Sequence, residues 1–242
     1  MTVDMTSIRL EIMILTMVRN IRPFTRNNHK GICVCENVLD SDGNILYPHM
    51  IHTMKNGVKV GLVGIVTDYI NVWEKKENLV GIQVVDPFEA AKKALEDLQG
   101  KVDLTICIYH GGFESDLETG KRLSETTENI GYKICTELGF DVLLTGHQHM
   151  PVAGRMVNGT YTLQPLANGR EYAYVEIDLE KEAFSSGNAT YPATITSINQ
   201  RKFSQTLNNA KALCEKYSFV EAKVQEWLDE PLGHLSRPLT QR

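Results

Sequence analysis

The sequence predicts an α/β domain in which helices pack on a parallel or mixed sheet. Three observations lead there. The apolar run Val58–Val66 suits a strand buried on both faces. A helix with a complete start signal begins at Asp86. Two further apolar strands, Val102–Tyr109 and Asp141–Thr145, are separated by a polar loop and a helical pattern. A crossover of that kind joins parallel neighbours.

Taken in order, Ile32–Val38 is β-prone and Asp40-Ser-Asp-Gly43 is a turn. Asn56-Gly57 marks a hairpin ahead of Val58–Val66. In the next helix Asp86 is the N-cap, Pro87 fits the first helical position, and Glu89 completes a capping box. Phe88, Ala91, Leu95 and Leu98 recur at helical spacing until Gly100 stops the helix. The strand Val102–Tyr109 ends at His110-Gly-Gly112. A helix is expected from Thr126 to Leu138, closing at Gly139, before the strand that ends at Gly146-His-Gln-His149. Gly154–Ile177 reads as hairpins turning at Asn158-Gly159 and Asn168-Gly169. Gln205–Leu228 reads as an amphipathic helix, and Pro231, Gly233 and Pro238 as a linker.

Composition narrows the function classes. The chain has 242 residues, 42% of them apolar and 23% charged, an ordinary globular balance. No run approaches the ~18 apolar residues of a membrane span. A net charge of −5 argues against binding a nucleic-acid polymer non-specifically. Cys33, Cys35, Cys107, Cys135 and Cys214 have neither zinc-ribbon nor disulfide-framework spacing. They are expected to be buried free thiols, which favours a reducing, cytoplasmic setting; any export signal would lie outside this chain.

Chemistry concentrates at two strand ends. Ligands of α/β sheets bind beyond the carboxyl ends of the strands, and there this sequence puts His110 on one strand and His147 and His149 on another. In an extended segment His147 and His149 would point the same way. Neutral imidazole is the commonest metal ligand. The adjoining glycines would let the backbone turn and leave room for a ligand. His29, His49, His52 and His234 lack this context and read as ordinary surface or loop residues.

The stretches Ile106-Cys-Ile-Tyr-His110-Gly-Gly and Leu144-Thr-Gly-His147-Gln-His149 resemble the last two metal motifs of the calcineurin-like metallophosphoesterases. The resemblance is to their 5′-nucleotidase and 2′,3′-cyclic-nucleotide phosphodiesterase branch. It extends to Asn56–Gly64, Asp86–Ala91 and Gly169-Arg-Glu-Tyr172 and covers about residues 31–240. It implies the C-terminal half of a sandwich of two mixed β-sheets flanked by helices. It implies a site for two divalent metal ions, Zn²⁺, Mn²⁺ or similar, with His110 and His147 on one and His149 on the other. The implied reaction is hydrolysis of nucleotide phosphate esters, in which two cations clamp the phosphoryl group and activate water. It also implies upstream Asp-x-His, Gly-Asp and Gly-Asn-His-Asp/Glu motifs, which this chain does not show, so no catalytic acid–base histidine is expected here. Trp227–Pro238 resembles the linker into the family's nucleoside-binding domain, which is absent.

Residues 1–30 stand apart, with Met1, Met5, Met13 and Met17 set among Ile, Thr and Arg. Their codons, read in a shifted frame, force Asp from Met5–Thr6, Asp from Met13–Ile14 and Gly from Met17–Val18. The remaining positions permit Gly-Tyr-Asp-Val-x-Thr-Leu-Gly-Asn-His-Asp-Phe, which resembles the family's third metal motif. This reading requires GAA at Glu11 and ATC at Ile12 in the gene; sequencing that finds GAG at Glu11 refutes it. Residues 1–25 are then expected to match the rest of the fold poorly.

The sequence divides into residues 1–30, 31–200 and 201–242. Three readings stay open: part of a two-metal nucleotide phosphoesterase, an inactive fragment that is at most a weak metal binder, and a mononuclear hydrolase using the three histidines alone.

Overall fold

Val58–Val66 forms the strand its apolar run implies because it lies in the middle of a mixed sheet. The computed structural model describes residues 5–9, 32–167, 171–180, 193–202, 218–219 and 222–230. In chain order the strands are β1 (Met5–Arg9), β2 (Cys35–Asp40), β3 (Ile45–Tyr47), β4 (Met50–Thr53), β5 (Lys59–Val66), β6 (Ile82–Val84), β7 (Leu104–His110), β8 (Val142–Thr145), β9 (Val152–Val157), β10 (Thr160–Gln164), β11 (Glu171–Glu180) and β12 (Ala193–Lys202). The helices among the described residues up to Lys202 are α1 (Ile70–Trp73), α2 (Pro87–Leu98) and α3 (Gly131–Glu137), with a 3-10 turn at Lys76–Leu79; residues 222–228, within the helix expected over Gln205–Leu228, are helical too. The chain divides into two compact units, Met1–Lys202 and Phe203–Arg242.

The main sheet has the order β4-β5-β7-β8-β10-β9. Its four inner strands run parallel and its edges β4 and β9 antiparallel. Two small sheets, β3-β2-β6 and β1-β11-β12, are antiparallel. Each face of the main sheet has its own core. Val63, Ile65, Cys107, Tyr109 and Leu143 pack with Phe88, Ala91, Ala94 and Leu98 of α2 and Ile134 of α3. Val60, Leu104, Ile106 and Val142 pack with Leu163, Ile177 and Leu179. α2 starts as expected: Asp86 accepts from the backbone N–H groups of Phe88 and Glu89.

Several expectations need correction. The helix expected from Thr126 begins only at Gly131. The carbonyl of Glu128 accepts from the hydroxyls of Thr67 (2.7 Å) and Tyr109 (3.2 Å). Asn129 Oδ1 accepts from Gly112 N–H at 2.6 Å. These long-range bonds keep the segment out of the helix, with bends at residues 125–128, and Glu114 accepts from the N–H groups of Tyr132 and Lys133 in the first turn of α3. Gly154–Ile177 is not hairpins throughout. β9 and β10 form one, turning at Asn158 and Gly159 with φ of +48° and +87°. β10 then pairs in parallel with β8, and β11 joins β1 and β12 instead. Cys35, Cys107 and Cys135 are buried free thiols, whereas Cys33 is exposed. Residues 10–31, most of Gln205–Leu228, Asn168-Gly169, Cys214, His29 and His234 lie outside the described residues.

The described part of the N-terminal stretch, Met5–Arg9, is an antiparallel strand on β11, opposite Glu180 through Glu176. No described helix is long and apolar enough to cross a membrane.

Candidate functional site

The site forms where three parallel strands end side by side. β5 ends at Val66, which pairs with His110 at the end of β7, and Tyr109 pairs with Thr145 at the end of β8. Thr67 N–H donates to the carbonyl of His110 at 3.1 Å. The loops beyond β7 and β8 are tied by Gly146 N–H to Gly111 O at 3.1 Å. Gln148 completes the tie with both ends of its amide. Its Oε1 accepts from Phe113 N–H at 2.8 Å, and its Nε2 donates to Phe113 O at 2.9 Å.

The structure brings His110 and His147 together, with ring centroids 5.4 Å apart. His149 lies near enough that its charge acts on His110. His147 and His149 do not sit in an extended segment: their φ angles are +70° and +57°, both left-handed. The glycines also have a different task from the one expected. A Cβ on Gly111 would collide with the Tyr109 ring, and one on Gly112 with the Gln148 side chain. They make room for protein side chains.

Sequence reasoning missed four contributors. Glu128 Oε1 lies 2.8 Å from His147 Nε2. The indole of Trp73 stacks on the His147 ring at 4.9 Å. Gln148, between the two histidines, ties the loops through Phe113. Asp68 follows β5, with Oδ1 buried and no hydrogen-bond partner among the described residues. Burial, then the charge of Asp86, raises its carboxyl above the ordinary range. A carboxylate directly after an apolar strand was the one signal available for Asp68; nothing local marked Glu128 or Trp73. His49, read as ordinary, pairs through Nδ1 at 2.8 Å with Glu36, a carboxylate only 4% exposed.

The donor chemistry suits a divalent cation of the zinc or manganese kind, because neutral imidazoles bind such ions. Burial, then the charges of His147 and His149, lowers His110 to about 4, which keeps its ring neutral at physiological pH. Two clamped cations are another matter. Among the described residues no group of three or more His, Cys, Asp or Glu side chains is gathered to hold a metal ion. No described carboxylate bridges the imidazoles, so they fit a cation only as a partial donor set.

The depressed His110 pKa makes stability depend on pH. An imidazole neutral in the fold contributes stability that is fully present above its ordinary value of 6.5 and is lost as pH falls through about 4. Thermal melts of His110→Asn are therefore expected to show a shallower loss of Tm across this acid range than the parent. An unchanged acid slope would refute the assignment.

No protein-family model matches the chain. It is 29% identical over 170 residues to the trifunctional nucleotide phosphoesterase YfkN of Bacillus subtilis, a match covering 63% of this chain and 11% of that protein. It is also 29% identical over 120 residues to a 2′,3′-cyclic-nucleotide 2′-phosphodiesterase/3′-nucleotidase of Salmonella typhimurium, covering 49% of this chain and 16% of that one. The chain thus spans less than about a fifth of either relative's length. The crystal structure of the calcineurin-like phosphoesterase YfkN from Bacillus subtilis matches with a TM-score of 0.59 at 21% identity, over 83% of this chain and 65% of that one. The fold is that of the calcineurin-like phosphoesterases.

Proposed function

We propose, for a chain with the calcineurin-like phosphoesterase fold, that it carries the histidine-bearing part of a metal-dependent phosphoesterase site for nucleotide phosphate esters. The reaction type is that of a 5′-nucleotidase or cyclic-nucleotide phosphodiesterase. The observation that carries this reading is the meeting of His110 and His147 at neighbouring parallel strand ends. The nucleotide phosphoesterases among the relatives support the substrate class.

In this reading His110, His147 and His149 hold divalent metal ions. Such an ion, when bound, stabilises charge on the phosphoryl group and makes bound water acidic. The chain's own residues prepare that role. Burial leaves His110 unprotonated. Gln148 and the Gly146–Gly111 bond fix the spacing of the two loops that present the imidazoles. The left-handed turns at His147 and His149 let two histidines leave one short loop.

A second reading, favoured because no group of three or more His, Cys, Asp or Glu side chains is gathered among the described residues, is that this polypeptide alone binds a cation weakly and turns over little. Zinc titration by calorimetry, with nucleotide hydrolysis in Mn²⁺ or Zn²⁺, tests both. Cation binding by the parent chain and its loss in His147→Ala is expected. Hydrolysis is expected to fall ~10²- to 10⁴-fold below a relative assayed alongside, the usual cost of a lost acid–base group. No binding at all would overturn the first reading. Robust metal-dependent turnover that His147→Ala abolishes would overturn the second.

A further inference from the structure

His147 is held from two directions by side chains that are themselves partly exposed. Glu128 Oε1 meets Nε2 at 2.8 Å. Trp73 lies on the ring face, centroids 4.9 Å apart and planes 28° apart. Trp73 ends α1, a helix with no buried residue, and it is 48% exposed. Large aromatic side chains are normally placed for burial, and this one instead covers an imidazole. Tyr69 braces it edge-on at 5.9 Å. The Glu128 side chain is also partly exposed, while its backbone is pinned by Thr67 and Tyr109 through its carbonyl. The carboxylate is therefore delivered to Nε2 from a fixed backbone.

We propose that Glu128 and Trp73 are positioning residues that hold His147 in one tautomer and one ring plane. A neutral imidazole has one N–H, and a carboxylate can only accept it. Glu128 thus keeps the proton on Nε2 and leaves the lone pair on Nδ1. The indole restricts rotation of the ring about its bond to the backbone side. A hydrogen-bond partner on one ring nitrogen selects the other as the ligand atom. This rests on His147 being a metal ligand, but the tautomer is a property of the metal-free chain.

The test begins with imidazole ¹⁵N correlations of the metal-free protein at about pH 8, where histidine is neutral, the His147 signals being assigned by their loss in His147→Ala. The expected wild-type pattern is a protonated Nε2 and a bare Nδ1. Glu128→Ala is expected to draw both nitrogens toward averaged values and to weaken zinc about 10- to 100-fold, the usual cost of losing such a partner. In a Trp227→Phe background, Trp73 fluorescence is expected to respond to Co²⁺. Trp73→Phe is expected to retain zinc affinity better than Trp73→Ala. A wild-type His147 protonated on Nδ1, or nitrogen signals that Glu128→Ala leaves unmoved, would overturn the proposal. A locked tautomer in a protein that binds no zinc would uphold the positioning role and overturn the metal reading alone.

Discussion

Asn37→Ala is expected to destabilise the main domain by about 3 kcal/mol or more. Asn37 is fully buried on β2. Its Oδ1 accepts from Val66 N–H at 2.9 Å, and its Nδ2 donates to the carbonyls of Val66 (2.7 Å) and Val85 (3.0 Å). One side chain thus satisfies three backbone groups, two of them buried at Val66 and one partly buried at Val85. Each group left unpaired costs ~1–3 kcal/mol. The loss also loosens the end of β5, hence the Thr67 bond that pins Glu128. Urea unfolding followed by circular dichroism measures the first effect and zinc titration the second. A cost below about 1 kcal/mol would mean that water replaces the amide, and the account of the β2–β5 junction would be wrong.

Gly64→Ala is expected to be nearly as damaging, and more so than Gly61→Ala three residues earlier. A Cβ at Gly64 would collide with the backbone carbonyl of Val34, which crosses β5 at that point. Backbone cannot swing aside as a side-chain tip can, and overpacking of this kind costs ~1–3 kcal/mol, occasionally more. At Gly61 the obstacle is Leu98 Cδ1, 2.7 Å from the added atom, which a rotamer change can move. Comparing the denaturation midpoints of the two variants tests the argument; equal losses would show that the close approach of residue 34 to β5 is not what requires glycine.

Much of the site's framework was legible because its signals are local. The apolar run at Val58–Val66, the Asp86-Pro-Phe-Glu89 cap and the Asn158-Gly159 turn each act on residues within a few positions, through burial on both faces, orphan N–H groups and positive φ. The candidate histidines could be found the same way, since each follows an apolar strand. Why Gly64 interrupts that run was not legible, because the answer is the carbonyl of Val34. The helix start at Gly131 rather than Thr126 depended on Thr67, Tyr109 and Gly112, all distant in sequence.

Local signals suffice for the α/β class, the central strands, the helix on Asp86 and the strand ends that carry His110, His147 and His149. Long-range packing is what places β10 beside β8, lets Gln148 tie the two loops, and brings Glu128 and Trp73 to His147. The reason is physical. Propensity, capping and turn chemistry are settled within one or two turns of chain. A hydrogen bond or ring stack between residues 19 or more positions apart exists only once packing has brought the segments that carry them together.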